Sequence, residues 1–255
     1  MTRYTKGSGI LAALVAMVAL GCQSPSPTAT SLGDQGAGEP VLEVKYANPG
    51  FDPANFISGV TNPYLPLIPG TTYHYRSKTP DGVELNDVSI TYDTKQILGV
   101  SVTVVHDAVF VHGKLTEDTQ DWLAKDEDGN VWYFGEDTKE LDENGNIIST
   151  EGSWEAGVGD NRPGIIMVAE PKTGLTYRQE IAPDIAEDVA RVLSLKSKVD
   201  VPYGKFAGCL QTMESTPLEH GNREHKFYCP GVGLVLEVQP REGRIKNQLI
   251  SITHF

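Results

Sequence analysis

Through the central and C-terminal parts of the chain, runs of β-branched and aromatic residues alternate with polar turns that contain glycine. The runs include VSITYDTKQI, VSVTVVHDAVFVH, LSLKSKVDV and NQLISITHF, and the turns include TPDGVE, DEDGNV, DENGNI and PREGRI. Short strands separated by Gly, Asn and Asp turns are typical of antiparallel sheets. The pattern therefore predicts a mainly β protein with at most one or two short helices.

The segment APDIAEDVARVL departs from this pattern and has helical features. Pro183 lies at a possible helix start, and Asp184 and Glu187 suit the first turn. Four apolar residues would then share one face of the helix: Ile185, Val189, Val192 and Leu193. One short helix is the prediction here.

Two acidic pentapeptides, Asp-Glu-Asp-Gly-Asn from Asp126 and Asp-Glu-Asn-Gly-Asn from Asp142, suggest either calcium loops or hairpin turns. An EF-hand loop needs glycine at its sixth position and glutamate at its twelfth, and neither pentapeptide places them there. Asp-Gly and Asn-Gly favour two-residue type I′ turns, in which both central residues have φ > 0. The prediction is two hairpin turns and no metal site.

The N-terminus has the pattern of an export signal. Arg3 and Lys6 precede the apolar run Ile10–Leu20, and Gly21 and Cys22 follow it. Eleven residues of helix reach ~16 Å, about half of a bilayer core, so a transmembrane helix is not expected. The stretch VALGC resembles a bacterial lipobox, which implies a signal peptide over residues 1–21 and lipidation at Cys22. An ordinary signal peptide, with Cys22 incidental, is the alternative.

Residues 22–45 are predicted to be a lipidated linker, because QSPSPTATSLGDQGAGEP is rich in Pro, Ser, Thr and Gly and has no apolar period. Residues 46–255 are then one β domain, long enough for a substantial core. The residue after Cys22 is Gln23 and not the aspartate that is associated with inner-membrane retention. We therefore expect a location in the bacterial cell envelope, at the outer membrane.

The charge balance is acidic, with 21 Lys and Arg against 34 Asp and Glu and a net charge of −13. Removing residues 1–21 takes away two basic residues and no acidic one, which brings the charge to −15. The sequence has no basic cluster, which argues against nucleic acid as a partner. Membrane association is expected through the lipid on Cys22 alone.

Three sets of residues carry a resemblance to a family of uncharacterised bacterial envelope lipoproteins. They are Asn62, Tyr64, Pro66, Leu67 and Gly70; Val201, Pro202, Gly204 and Phe206; and Tyr228, Pro230, Gly231, Gly233, Leu234 and Val235. The resemblance covers most of residues 51–255. It implies a strongly curved antiparallel sheet, a half-open barrel similar to that of lipoprotein carriers, and it implies no activity.

The chain has no Gly-x-Ser-x-Gly motif and no phosphate-binding loop, and its histidines match no common metal signature: His74, His106, His112, His220, His225 and His254. We therefore expect no catalytic residue and no cofactor. The favoured interpretation is a non-enzymatic binding or scaffold protein whose curved sheet meets an apolar ligand or an envelope protein.

Tryptophans beside carboxylates suggest an alternative, a glycan-binding protein or glycoside hydrolase. Indole rings pack on sugar C–H faces while acids bind hydroxyls or transfer protons. The candidate ligand-binding residues are Trp122, Trp132, Trp154, Glu155, Arg178 and Glu180. Packing in the core is the competing explanation for the three tryptophans.

Cys209 and Cys229 flank the predicted hairpin loop PLEHG. In an antiparallel pair, the residue numbers of opposite positions add to a constant, the index sum. For Cys209 and Cys229 that sum is 438, which places the centre of this hairpin at residue 219. The two cysteines would then face each other at ~4.5–5.5 Å between Cα atoms, which suits a disulfide in an exported protein. Two buried free thiols are the alternative.

Overall fold

The computed structural model describes residues 48–57, 61–80, 82–219, 221–240 and 245–255. The predicted signal peptide, Cys22, the linker over 22–45 and His220 lie outside the described residues. The described chain begins with a 3-10 helix, Pro53–Asn55, which Asp52 caps by accepting a hydrogen bond from the Ala54 backbone N–H over 2.9 Å.

Fourteen strands follow. The first seven are β1 (Thr71–Thr79), β2 (Gly82–Ile97), β3 (Val100–Val111), β4 (Lys114–Lys125), β5 (Val131–Leu141), β6 (Ile147–Ser149) and β7 (Trp154–Glu155). The others are β8 (Gly164–Met167), β9 (Thr176–Arg178), β10 (Val189–Val201), β11 (Gly204–Ser215), β12 (Glu224–Cys229), β13 (Gly233–Gln239) and β14 (Ile245–His254).

All fourteen strands belong to one antiparallel sheet, in the order β6-β5-β4-β3-β2-β1-β14-β13-β12-β11-β10-β9. The short strands β7 and β8 lie off this path, and each pairs with β5. Nearly every connection is a hairpin between neighbours in sequence, as alternating strands and glycine turns predict. The predicted mainly β, single-domain fold is confirmed.

The sheet is strongly curved, as the resemblance implied. In the strand order, β5 and β9 are ten spacings apart, which would be ~48 Å in a flat sheet. Yet Trp154 on β7, the neighbour of β5, donates its indole N–H to Glu180, two residues after β9, over 3.1 Å. A Cβ on Gly164 of β8 would overlap the carbonyl oxygen of Gln179. The two flanks therefore meet, although the ladder of hydrogen bonds stays open.

The helix predicted within APDIAEDVARVL does not form, so that prediction was wrong. An isolated bridge joins Ala182 to Ala186, Asp184 has φ 62°, and β10 begins at Val189. At its start β10 pairs on both sides, because Val189, Ala190 and Arg191 pair with β9 as well as with β11. This two-sided pairing outweighs the local helical spacing of the apolar residues.

The two acidic pentapeptides form hairpin turns, but not of the predicted type I′. In each, the glycine N–H donates to the carbonyl of the first Asp, over 3.1 Å for Gly129 and 3.0 Å for Gly145. Only the glycines have positive φ, 91° and 81°. These are three-residue loops, a type I turn followed by a left-handed glycine. The aspartate side chain selects this loop, since Asp142 Oδ1 accepts the N–H of Asn144.

Residues 61–70 cover the end of the sheet at which β4 passes into β5, which we call the capped end. Asn62 holds this cap: its side-chain N–H donates to the carbonyls of Gly129 and Val168, and its Oδ1 accepts the N–H of Tyr64. The Gly231 N–H donates to the carbonyl of Pro63 over 2.7 Å. The first and last motifs of the resemblance therefore lie together and position the cap.

The predicted disulfide is present. Cys209 and Cys229 are bonded, with 4.3 Å between their Cα atoms. The register is the predicted one, because Leu210 pairs with Tyr228 and Gln211 with Phe227, each with an index sum of 438. Both cysteines are buried in the core. The bond therefore fixes the β11–β12 hairpin at the place where β12 turns into β13.

Candidate functional site

Trp154 and Glu180, two of the predicted ligand-binding residues, are in contact inside the curve of the sheet. The Trp154 indole donates to Glu180 Oε1 over 3.1 Å and packs edge-on against the ring of Tyr133, at 5.5 Å between centroids. Trp154 is 4% exposed and Glu180 is 1% exposed. This pair links the two flanks of the sheet and presents no open ring face.

Trp122 lies on the opposite face of the sheet, beside Glu155. The Lys95 ammonium is 3.3 Å from the centroid of the Trp122 ring and 2.7 Å from Glu155 Oε2. Lys95 and Glu155 are each about one-third exposed, whereas the indole is buried. The lysine therefore joins the tryptophan to the carboxylate and covers the ring face that a sugar would use.

Trp132 belongs to a third setting, at the capped end. Its indole N–H donates to Asp126 Oδ2 over 2.8 Å, and its ring packs against Phe51 and Phe56 at 5.9 and 5.6 Å between centroids. Trp132 is 3% exposed. This tryptophan anchors the chain that precedes the cap and the first acidic turn.

Arg178 forms a separate cluster on β9. Its guanidinium lies 3.4 Å from Glu187 Oε2, and its backbone exchanges two hydrogen bonds of 2.8 Å with the side chain of Asn48. The six predicted ligand-binding residues are thus divided among four settings. The structure brings together Trp154 with Glu180, and Trp122 with Glu155.

The inner face of the sheet carries a feature that sequence reasoning missed. Every strand of the order from β5 to β11 contributes at least one buried polar side chain there, and we call this set the polar belt. Its members are Ser77, Glu84, Asn86, Asp107, Glu117, Thr119, Asp121, Glu136, Thr138, Thr212, Glu214, Glu224, Lys226, Glu237 and Asn247. Carboxylates dominate a layer that is normally apolar.

The sequence contains the signal of this belt. Acidic or hydroxyl residues recur at every second position in TEDTQD, over Glu117, Thr119 and Asp121, and Glu224 and Lys226 alternate in the same way. An alternation of residue types with a period of two indicates a strand. When both faces carry polar residues, the alternation does not indicate which face is buried. Only the pairing of the strands shows that these side chains face the interior.

Burial raises the pKa values of the belt carboxyls, because removal from water disfavours the charged form. The pKa is about 8 for Glu117 and about 6 for Asp121, and it lies well above the ordinary value for Asp107, Glu136 and Glu237. Repulsion from Asp121 adds to the effect of burial on Asp107 and Glu136. At neutral pH this interior therefore holds protonated carboxyls, which donate as well as accept hydrogen bonds.

Lys226 is the one basic side chain of the belt. Its ammonium lies 3.0 Å from Glu214 Oε2 and 3.7 Å from Glu224 Oε2. Burial by itself would lower the pKa of Lys226, but the carboxylates of Glu214, Glu237 and Glu224 raise it well above the ordinary value. Lys226 is therefore a charged structural centre and not a nucleophilic amine.

Several buried oxygens of the belt have no hydrogen-bond donor among the described residues. They are Asn86 Oδ1, Asp107 Oδ2, Asp121 Oδ2, Glu136 Oε1 and Asn247 Oδ1. Asn86 also donates its side-chain N–H to Asp107. The described residues contain no group of three His, Cys, Asp or Glu arranged to hold a metal ion. The belt is rich in oxygen ligands but does not assemble them into a metal site.

The apolar half of the interior lies between the belt and the cap, and its own side chains fill it. A cavity of about 20 Å³ remains there, lined by Leu65, Leu67, Tyr73, Val88 and Leu234 among others. That volume holds about one water molecule. An apolar ligand of ordinary size would need ~300–1,000 Å³.

A larger cleft lies at the surface. It measures about 400 Å³ and is lined by Gly159, Asp160, Asn161, Arg162 and Pro183. Asp160 is exposed, and the Arg162 backbone N–H is bonded to the carbonyl of Ile181 over 2.9 Å. This cleft contains none of the predicted ligand-binding residues. No helix in the described part of the chain has the length and hydropathy to span a membrane.

The comparisons give a limited likeness to known proteins. The sequence matches no protein-family model and no curated protein. Two solved structures are similar: a Bacteroides fragilis protein assigned as exported, with a YmcC-like fold (14% identity, TM-score 0.43), and a Parabacteroides distasonis protein assigned as a lipoprotein (10% identity, TM-score 0.42). Each alignment covers 76% of this chain and 100% of the other.

Proposed function

We propose that this chain is a lipid-anchored protein of the bacterial cell envelope, and that it acts without catalysis as a scaffold for an envelope partner. The anchor rests on the apolar run Ile10–Leu20 followed by Gly21 and Cys22. The buried Cys209–Cys229 disulfide supports an oxidising compartment, which is where exported chains fold. Gln23 favours the outer membrane within the envelope.

The filled interior is the observation that carries the scaffold role. A carrier needs a cavity for its cargo, whereas Leu65, Leu67 and their neighbours leave about 20 Å³ under the cap. The belt carboxyls are buried, so they offer no open site for general acid–base chemistry on an external substrate. The surface of the sheet is then the part of the molecule that meets other molecules.

The anchor is tested by cell fractionation and mass spectrometry. We expect the native protein to partition with the outer membrane and to carry acyl chains on Cys22, and the Cys22→Ala variant to move to the soluble fraction. A membrane-bound Cys22→Ala variant with a different mature N-terminus would contradict the lipid anchor.

The scaffold role is tested on protein isolated from its native envelope. Native mass spectrometry is expected to show the chain without a stoichiometric apolar ligand, and cross-linking before extraction is expected to join it to one envelope protein reproducibly. A lipid bound one to one, other than the acyl chains on Cys22, would favour a carrier instead.

Glycan binding remains the second candidate, and the contact of Trp122 with the Lys95–Glu155 pair is the geometry that would serve it. Lys95 must leave the ring face before a sugar can stack there. Calorimetric titration with envelope glycans, with Glu155→Gln as the comparison, would support this candidate if the wild type alone bound.

A further inference from the structure

Six of the thirteen large apolar side chains that are exposed in the described residues lie around the capped end of the sheet. Tyr92 lies in β2, Phe255 directly follows β14, Tyr203 lies in the β10–β11 turn and Leu98 in the β2–β3 turn. Two residues next to or within the cap are also exposed. We call this set the apolar rim: Ile57, Ile68, Tyr92, Leu98, Tyr203 and Phe255.

The rim is held in place by the backbone beneath it. Tyr92 and Phe255 are 70% and 69% exposed, and their rings contact each other edge-on at 6.2 Å between centroids. The Gly70 N–H donates to the carbonyl of Ile90, and the Phe255 N–H donates to the carbonyl of Gly70, over 2.8 and 2.9 Å. Two large aromatic rings thus contact each other while they face solvent, and contiguous exposed apolar surface is characteristic of interaction sites.

The predicted lipid tether leads into a segment that passes from β9 to this rim. The described chain starts at Asn48, whose side chain is hydrogen-bonded to Arg178 on β9, and five residues later Pro53 lies 3.7 Å from a Cβ placed on Gly99 in the β2–β3 turn. Twenty-five residues separate Cys22 from Asn48. Fully extended, this number of residues spans at most ~90 Å, so the rim can reach a bilayer that holds Cys22.

We propose that the apolar rim docks on the phospholipid surface to which Cys22 is anchored, with its aromatic side chains in the boundary between headgroups and acyl chains. This inference builds on the proposed lipid anchor. Tyr and Phe side chains at such a boundary contribute buried apolar area. A tether also raises the local concentration of the rim at the membrane, so weak docking suffices.

The charge of the domain selects the kind of lipid. The mature chain would carry a net charge of −15, so anionic headgroups repel it. Docking is therefore expected on zwitterionic phospholipid and is weakened by anionic lipid. The opposite end of the sheet supplies a control, because Ile148 on β6 is 65% exposed and lies far from the cap.

The test uses residues 22–255 coupled through the Cys22 thiol to a maleimide lipid in phosphatidylcholine vesicles with brominated acyl chains. Cys22 is the single free thiol, because Cys209 and Cys229 are bonded to each other. Bromine quenches an indole at short range, and the native tryptophans are buried. The added indole of a Tyr92→Trp or Phe255→Trp variant is expected to lose about half its fluorescence at an insertion depth of ~5–10 Å.

The matched variant Ile148→Trp is expected to keep its fluorescence in the same vesicles. Equal quenching of Tyr92→Trp and Ile148→Trp, or quenching of neither rim variant, overturns the docking. A dimer of the uncoupled chain that Tyr92→Ser dissociates would make a second copy the occupant and would also overturn it. The coupling to lipid in this test is chemical. A failure of lipidation in cells would therefore appear in the fractionation that compares the native protein with Cys22→Ala, and not in the vesicle test.

Discussion

Tyr133 on β5 donates its hydroxyl to Asp121 Oδ1 on β4, with 2.6 Å between the two oxygens. Both side chains are completely buried. Burial raises the pKa of Asp121, and the hydrogen bond from Tyr133, with the electrostatic effects of His106 and Lys226, limits the rise to about 6. The pKa of this one belt carboxyl therefore lies near the physiological range.

The stability of the protein is expected to fall as the pH rises from about 5 to about 8.5. A carboxyl whose folded pKa is raised binds more protons when folded, so its contribution is most favourable below its unfolded pKa and is lost as the pH passes the folded value. The folded values are about 6 for Asp121, about 7 for Asp188 and about 8 for Glu117. Thermal unfolding should show a melting temperature ~5–10 °C lower at pH 8.5.

The Asp121→Asn variant is expected to reduce this pH dependence. An amide keeps an oxygen that can accept the Tyr133 hydroxyl, but it cannot ionise between pH 5 and 8. Asp200→Asn is the control, because Asp200 is exposed on β10 and pairs with Lys205. If both variants kept the slope of the wild type, the carboxyl of Asp121 would not contribute to it.

Loss of the disulfide is expected to destabilise the domain by about 3 kcal/mol, since the bond closes a loop with a sequence separation of 20 residues. A Cys209→Ser/Cys229→Ser double variant should melt ~6–12 °C lower than the wild type. Non-reducing peptide mapping of protein from the native envelope checks the premise. Two free thiols in that protein would refute it.

Gly135→Ala is expected to prevent β7 from pairing with β5. Gly135 has φ 122°, and a Cβ there would overlap the carbonyl oxygen of Trp154. Gly145→Ala is the matched control, because Gly145 also has positive φ, 81°, but nothing lies within 4 Å of its Cβ position. The control should lose only ~1 kcal/mol of stability, and the Gly135 variant several times more. Equal losses in urea denaturation would show that the close approach of β7 is unimportant.

The acidic turns are expected to be indifferent to calcium. Asp126 already accepts hydrogen bonds from the backbone and side chain of Asn130 and from Trp132, over 2.8 Å each. Asp126→Ala should therefore cost ~1–3 kcal/mol, and Asp142→Ala less, because Asp142 is only half-buried and binds no tryptophan. Melting temperatures with and without calcium test the first statement. A calcium-dependent rise that Asp126→Ala abolished would contradict it.

Local sequence chemistry predicted the strands, the positions of the hairpin turns and the disulfide, but not the type of the two acidic turns. Alternating β-branched residues and glycines fix where strands begin and end, and the index sum of Cys209 and Cys229 fixes a hairpin register, because an antiparallel pair joined by a short loop has no other freedom. The same reasoning was wrong for Val189–Leu193. In that segment, pairing with two neighbouring strands outweighs the helical spacing of the apolar residues.

Only the tertiary structure decided which face of each strand is buried. The alternation of Glu117, Thr119 and Asp121 would look the same in the sequence if their face of the strand were exposed to solvent. These side chains are buried because strands far away in sequence curve around them. In the same way, Trp132 and Trp154 both have acidic residues nearby in the sequence, but one anchors the cap and the other joins the flanks of the sheet. Local chemistry specifies hydrogen-bonding partners within a hairpin, whereas an interior is a property of the curved arrangement of all the strands.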